Sequence, residues 1–119
     1  MENEFQEPTP WQAELMARMA SVDIPSIEAI RSQLQSAKTR VVDNDGSFQT
    51  DCHGPPWVSA PRVPIEARYE DLDGIPIDIL MHVIDGAVHE FEIYKVDGGT
   101  VPKDFPLSSL KPRAAGAGD

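Results

Sequence analysis

A chain of 119 residues with a formal charge of −10 and a pI near 4.6 has room for one domain around one modest core. Its acidity excludes nucleic acid and anionic membrane surfaces as partners, since both need lysine and arginine to neutralise phosphate; if charge selects a partner, that partner is basic. No apolar run approaches the ~20 residues that span a bilayer, and the acidic start MENEFQEPTP is unlike the basic region of a signal peptide, so a cytoplasmic protein is expected.

Residues 1–8 read as a mobile terminus. Thr9-Pro10-Trp11-Gln12 then fits a capping box with Pro at the first helical position. Trp11, Leu15 and Met19, with Met16 beside them, form an apolar stripe to about Ala20. Ile24-Pro25 breaks that pattern, and a second helix is predicted from Pro25 or Ser26 to about Ala37. Its Ile27, Ile30 and Leu34 face the core, while Glu28, Arg31, Gln33 and Gln35 occupy the solvent side.

Thr39–Asp43 and Ser47–Thr50 read as short strands around an Asn44-Asp45-Gly46 turn. The Pro55-Pro56 pair excludes a central strand from the loop that follows, which leads into a short segment at 57–60. From Val63 to Asp97 the pattern is explicit: three antiparallel strands with apolar and polar residues alternating, joined at two Asp-Gly turns. Phe105, Leu107 and Leu110 fold back over the core, and residues 111–119 read as a disordered tail. The predicted architecture is α+β: one domain at 9–110, with an N-terminal helical hairpin on one face of a small antiparallel sheet.

The register follows from requiring one wholly apolar face. Pairing Tyr69 with Ile75, then Ile79 with Phe91 across an Ile84-Asp85-Gly86 loop bulged at Gly86, puts Val63, Ile65, Ala67, Tyr69, Ile75, Ile77, Ile79, Met81, Phe91 and Ile93 together. The opposite face then carries Glu66, Asp78 and Glu92 side by side on adjacent strands, with Arg68 diagonal to Asp78. This register sends His82 to the polar face and His89 to the apolar one. The whole stretch has nine carboxylates against only Arg68 and Lys95.

These residues define the candidate site: a binding surface of Glu66, Arg68, Asp78, His82, Glu90, Glu92 and Tyr94 on the polar sheet face. Side chains standing parallel on a flat sheet do not converge on a metal ion, so no metal site is assigned. The single Cys52 has no second cysteine for an internal disulfide or a structural zinc site. No phosphate loop, G-x-S-x-G or HExxH motif occurs, and no catalytic residue or cofactor is assigned. The reading is a non-enzymatic protein-binding module of immunity, inhibitor or adaptor type. The alternatives are a small metal- or Cys-dependent enzyme using Glu66, Asp78 and Glu92 or Cys52 with His53, and a module of a larger assembly. A homodimer by strand addition at a sheet edge is a further option, although Pro64 blunts one edge.

The run from Tyr69-Glu70-Asp71-Leu72-Asp73-Gly74-Ile75-Pro76 through Asp85-Gly86 to Glu90-Phe91-Glu92-Ile93-Tyr94-Lys95 resembles an uncharacterised family of small bacterial proteins with a domain of unknown function. The resemblance implies the two-turn meander and no established activity. Many members of that family carry a Cys-Gly-Cys-rich stretch before the meander, where this chain has only Asp51-Cys52-His53-Gly54-Pro55-Pro56.

Overall fold

A computed structural model of the chain describes residues 4–59 and 61–115. Helix α1 spans Pro10–Met19 and α2 spans Ile27–Gln35; the strands are β1 Lys38–Val41, β2 Phe48–Asp51, β3 Ile65–Glu70, β4 Pro76–Ile84, β5 Ala87–Lys95 and β6 Arg113–Ala114. All strand pairs are antiparallel, in the order β1-β2-β5-β4-β3-β6. This is the expected α+β layer, with both helices on one face of the sheet.

The capping box forms as predicted. The Gln12 N–H donates to Thr9 Oγ1 at 3.1 Å, and the Thr9 N–H donates to Gln12 Oε1 at 2.9 Å. Gln12 Oε1 also accepts the Thr39 hydroxyl at 2.7 Å, which ties the start of α1 to β1. Leu15, Met16 and Met19 are buried, and Trp11 packs edge-on to Phe105 at 5.2 Å while its Nε1 donates to the Phe105 carbonyl.

The core face contains Ile65, Ala67, Tyr69, Ile77, Ile79, Met81, Phe91 and Ile93, all buried, as alternation requires. Val63 and Ile75, expected there too, are half-buried. Two aromatic stacks anchor the core: Phe48 on Phe91 at 5.2 Å and Tyr69 on Phe105 at 4.8 Å.

The register corrects the sequence reading by two residues in both hairpins. Tyr69 lies opposite Ile77, and Ile79 opposite Ile93. In the first hairpin the five-residue loop is Asp71–Ile75, one position later than expected. Asp71 Oδ1 and Asp73 Oδ1 accept the Leu72 and Ile75 N–H groups there. In the second, Asp85 (φ 52°) and Gly86 (φ 82°) form a two-residue turn with both φ values positive, the demand of a type I′ hairpin.

The bulge expected at Gly86 falls instead where His82 opposes Glu90 and Val83 opposes Val88, so His89 is the extra residue. Val88, not His89, therefore points into the core, and His89 is half-buried. Gly86 cannot carry a side chain for a second reason: a Cβ would lie 2.8 Å from Pro56 Cβ and 3.2 Å from the Trp57 carbonyl.

β2 aligns with β5 at only two positions, Phe48 with Phe91 and Gln49 with Glu90, so side chains complete the polar pairing beyond them. Ser47 Oγ accepts the Ile93 N–H at 2.8 Å and donates to the Ile93 carbonyl at 3.1 Å. Thr50 donates to the Val88 carbonyl at 2.8 Å. Gln33, expected on the solvent side of α2, is 2% exposed: its Oε1 accepts the Val88 N–H, and its Nε2 donates to the carbonyls of Gly86 and Pro55. The chain termini are also more engaged than expected. Gln6 exchanges two backbone hydrogen bonds with Thr39, and Arg113–Ala114 add a short strand to the β3 edge. Residues 1–3 and 116–119, the outermost parts of the two predicted mobile ends, lie outside the described residues.

Candidate functional site

The helices cover one face of the sheet, and the other carries every residue of the predicted surface. Because the register differs by two, the expected row of Glu66, Asp78 and Glu92 does not exist. Across β3, β4 and β5 the neighbours are Arg68, Asp78 and Tyr94 in one line, and Glu66, Leu80 and Glu92 in the next.

The carboxylates of both lines have side-chain partners. Arg68 grips Asp78 with two hydrogen bonds, Nε to Oδ1 at 2.7 Å and Nη2 to Oδ2 at 3.0 Å, a bidentate fork between direct cross-strand neighbours and not the diagonal pair expected. Hydrogen bonds to Asp78 raise the Arg68 pKa further above its usual value. The Tyr94 hydroxyl donates to the same carboxylate at 3.4 Å, and partial burial, then the Asp78 charge, keep the phenol protonated to higher pH than usual.

In the second line Glu66 accepts from Arg113 Nε at 2.9 Å and Nη2 at 2.8 Å, and Glu92 Oε1 lies 2.8 Å from His82 Nε2. Leu80 sits between them, half-buried, with the Arg113–Glu66 ion pair on one side and the His82–Glu92 hydrogen bond on the other. Glu90 faces Gln49 on β2 and His82 on β4. A shallow depression of about 490 Å³ opens beside Leu80, lined also by Arg68, Asp78, Glu66 and Arg113. The face thus sets two arginine–carboxylate ion pairs, a histidine–glutamate hydrogen bond and Glu90 around an apolar centre. Arg113 belongs to this surface and was invisible in the sequence, where it reads as tail.

Cys52 and His53 lie beyond β2, away from the sheet face. The Cys52 thiol is half-buried, and burial pushes its pKa above that of a free cysteine, with a hydrogen bond to the Thr50 side chain opposing the shift and the Asp51 charge adding to it. His53 meets Ser36 through backbone atoms only, its N–H donating to Ser36 Oγ and its carbonyl accepting from that hydroxyl. Among the described residues no group of three or more His, Cys, Asp or Glu is placed to hold a metal ion, and no helix is long and apolar enough to cross a membrane.

Fold and surface together define a small α+β protein: two helices on one side of a six-stranded antiparallel sheet, with the other side open and polar. The chain belongs to the family described as Domain of unknown function (DUF6984), whose family model matches residues 5–105. Neither a curated protein nor a solved structure matches it.

Proposed function

We propose that the chain is a non-enzymatic, protein-binding module of immunity, inhibitor or adaptor type, working in the cytoplasm and docking its partner on the open sheet face. The observation that supports this most directly is the preordering of that face. Arg68, Asp78, Tyr94, Glu66 and Arg113 are held by cross-strand hydrogen bonds around a half-buried leucine, and a surface whose rotamers are already fixed loses little entropy on association. Arginine and tyrosine around an apolar centre are also the residue types that dominate binding energy in protein interfaces. The overall charge of −10 favours a partner with a net basic surface and a salt-dependent association rate.

The test is affinity capture from cells that make the protein, comparing wild type with Leu80→Arg and with a Glu90→Lys, Glu92→Lys double variant, each checked for folding by circular dichroism. The proposal requires a partner that wild type retains, that both variants lose, and that elutes as salt rises. Equal capture by all three proteins, or binding indifferent to salt and to charge reversal, sinks it.

A further inference from the structure

The loop between β3 and β4 presents Leu72 almost free in water, at 99% exposure. A single exposed leucine is ordinary; its setting here is not. The loop is clamped by Lys95, which lies on the core side of β5 at 8% side-chain exposure and donates to Asp71 Oδ2 at 2.9 Å and Asp73 Oδ2 at 2.6 Å. Asp71 also accepts the Leu72 N–H at 2.8 Å through its side chain and the Gly74 N–H at 2.9 Å through its carbonyl, and Asp73 accepts the Ile75 N–H at 2.9 Å. Ordering such a loop costs about 1–2 kcal/mol per residue in backbone entropy, and the fold accepts this while leaving the one large apolar side chain at the tip outside the core.

Val96, 45% exposed, lies on the same end of the sheet, its N–H donating to the Pro76 carbonyl at 3.0 Å. Residues 70–76 and 96–99 contain Glu70, Asp71, Asp73 and Asp97, and with Lys95 paired to Asp71 and Asp73 this end of the sheet is still net acidic. An ordered apolar tip on a net-acidic end of the sheet fits an apolar pocket rimmed by cations.

We infer that Leu72 is a docking knob that enters a lysine- or arginine-rimmed apolar pocket on the protein partner, an inference that rests on the protein-binding reading above. The loop is ordered before binding, so the knob adds affinity without a folding step.

The test places a benzophenone photo-crosslinking residue, in the full-length protein inside cells, at Leu72, at Tyr94 on the open face, or at Val58, whose 81% exposure makes it the control. Adducts with the same protein from positions 72 and 94, and none from 58, are expected. With that protein purified, Leu72→Ala weakens binding about tenfold or more and Leu72→Met about twofold or less, while added salt weakens wild type and both variants alike. An adduct from 94 alone, an adduct of equal yield from 58, or an affinity unchanged by Leu72→Ala overturns the knob and leaves the sheet-face reading standing. An adduct from 72 alone supports the knob and overturns the sheet face. Adducts from neither overturn both.

Discussion

The side-chain oxygen of Gln33 in α2 accepts the backbone N–H of Val88 in β5 at 2.8 Å, closing a contact between residues 55 positions apart. Val88 stands beside the bulged His89, where the regular ladder is interrupted, and at 1% exposure it has no water to turn to. Gln33→Leu keeps the volume and orphans that N–H; the carbonyl of the exposed Pro55 can turn to water, and the Gly86 carbonyl retains the Trp57 N–H. An unsatisfied buried group costs about 1–3 kcal/mol, and a loss of that size is expected in urea unfolding. Gln33→Glu adds a pH signature. Its carboxylate would face two carbonyls in a buried site, which raises the folded pKa above the unfolded value of about 4.3. The variant is therefore closest to wild type below pH 4 and loses stability as pH rises towards 7.

Gly86 and Gly74 have nearly the same backbone angle, φ 82° and 80°, in different surroundings. A Cβ at Gly74 meets nothing within 4 Å, whereas one at Gly86 meets Pro56 and the Trp57 carbonyl. Gly74→Ala should cost only the left-handed penalty of about 1–2 kcal/mol. Gly86→Ala adds displacement of the 55–57 segment and should cost about 1–3 kcal/mol more. Equal losses in thermal melts of the two variants would refute the packing of that segment against the turn.

Lys95 makes the first hairpin loop responsive to pH. Hydrogen bonds from Lys95 and from the Ile75 N–H hold the Asp73 pKa below the usual 3.8, and those to Asp73 and Asp71 hold the Lys95 pKa above its usual 10.5. The Asp73 contribution is thus complete above pH 3.8 and lost as pH falls through the lowered value. The Lys95 contribution is complete below pH 10.5 and lost as pH rises through the raised one. Lys95→Met lowers the melting temperature across the range between and flattens the decline at both ends. It also leaves Asp71, at 10% exposure, without its cation.

Cys52 should behave as a sluggish thiol. Its raised pKa leaves less thiolate at neutral pH than a free cysteine has, and partial burial slows access. Alkylation by iodoacetamide at pH 7.5 should run below the rate of a cysteine in an unfolded peptide and climb through pH 9 and beyond. A rate above the peptide's would favour the Cys52 with His53 alternative.

The faces of the sheet were legible because alternation has period two, and for that reason the register was not: a slip of two leaves every apolar residue on its face. Ile65, Ala67, Tyr69, Ile77 and Ile79 are buried under either register, yet their cross-strand neighbours differ. What selects between the registers is local chemistry that a face count does not include: the Asp71 and Asp73 bonds inside the first loop, the positive φ at both Asp85 and Gly86, and the bulge at His89. Gln33 was hidden for another reason. A glutamine on an amphipathic helix suits water and a buried carbonyl equally well, and only the position of Pro55 and Gly86 decides. Arg113–Ala114 give two residues of pattern, too few to separate a strand from a tail.

The register itself can be read out in energy by double-mutant cycles. Arg68 and Asp78 are joined by two hydrogen bonds, with side-chain exposures of 56% and 17%, so water screens much of the attraction; a coupling of about 0.5–1 kcal/mol is expected from Arg68→Ala, Asp78→Ala and the double variant. Glu66 lies opposite Leu80 and pairs with Arg113, so the cycle between Glu66 and Asp78 should give a coupling within about 0.3 kcal/mol of zero. The register that sets Glu66 beside Asp78 makes the reverse demand. Two carboxylates directly opposite repel, so removing either relieves the other, and a repulsive coupling of about 0.2–1 kcal/mol follows. Raising salt from 50 mM to 1 M should shrink the Arg68–Asp78 coupling, because the Debye length falls to about 3 Å, and leave the Glu66–Asp78 value where it was.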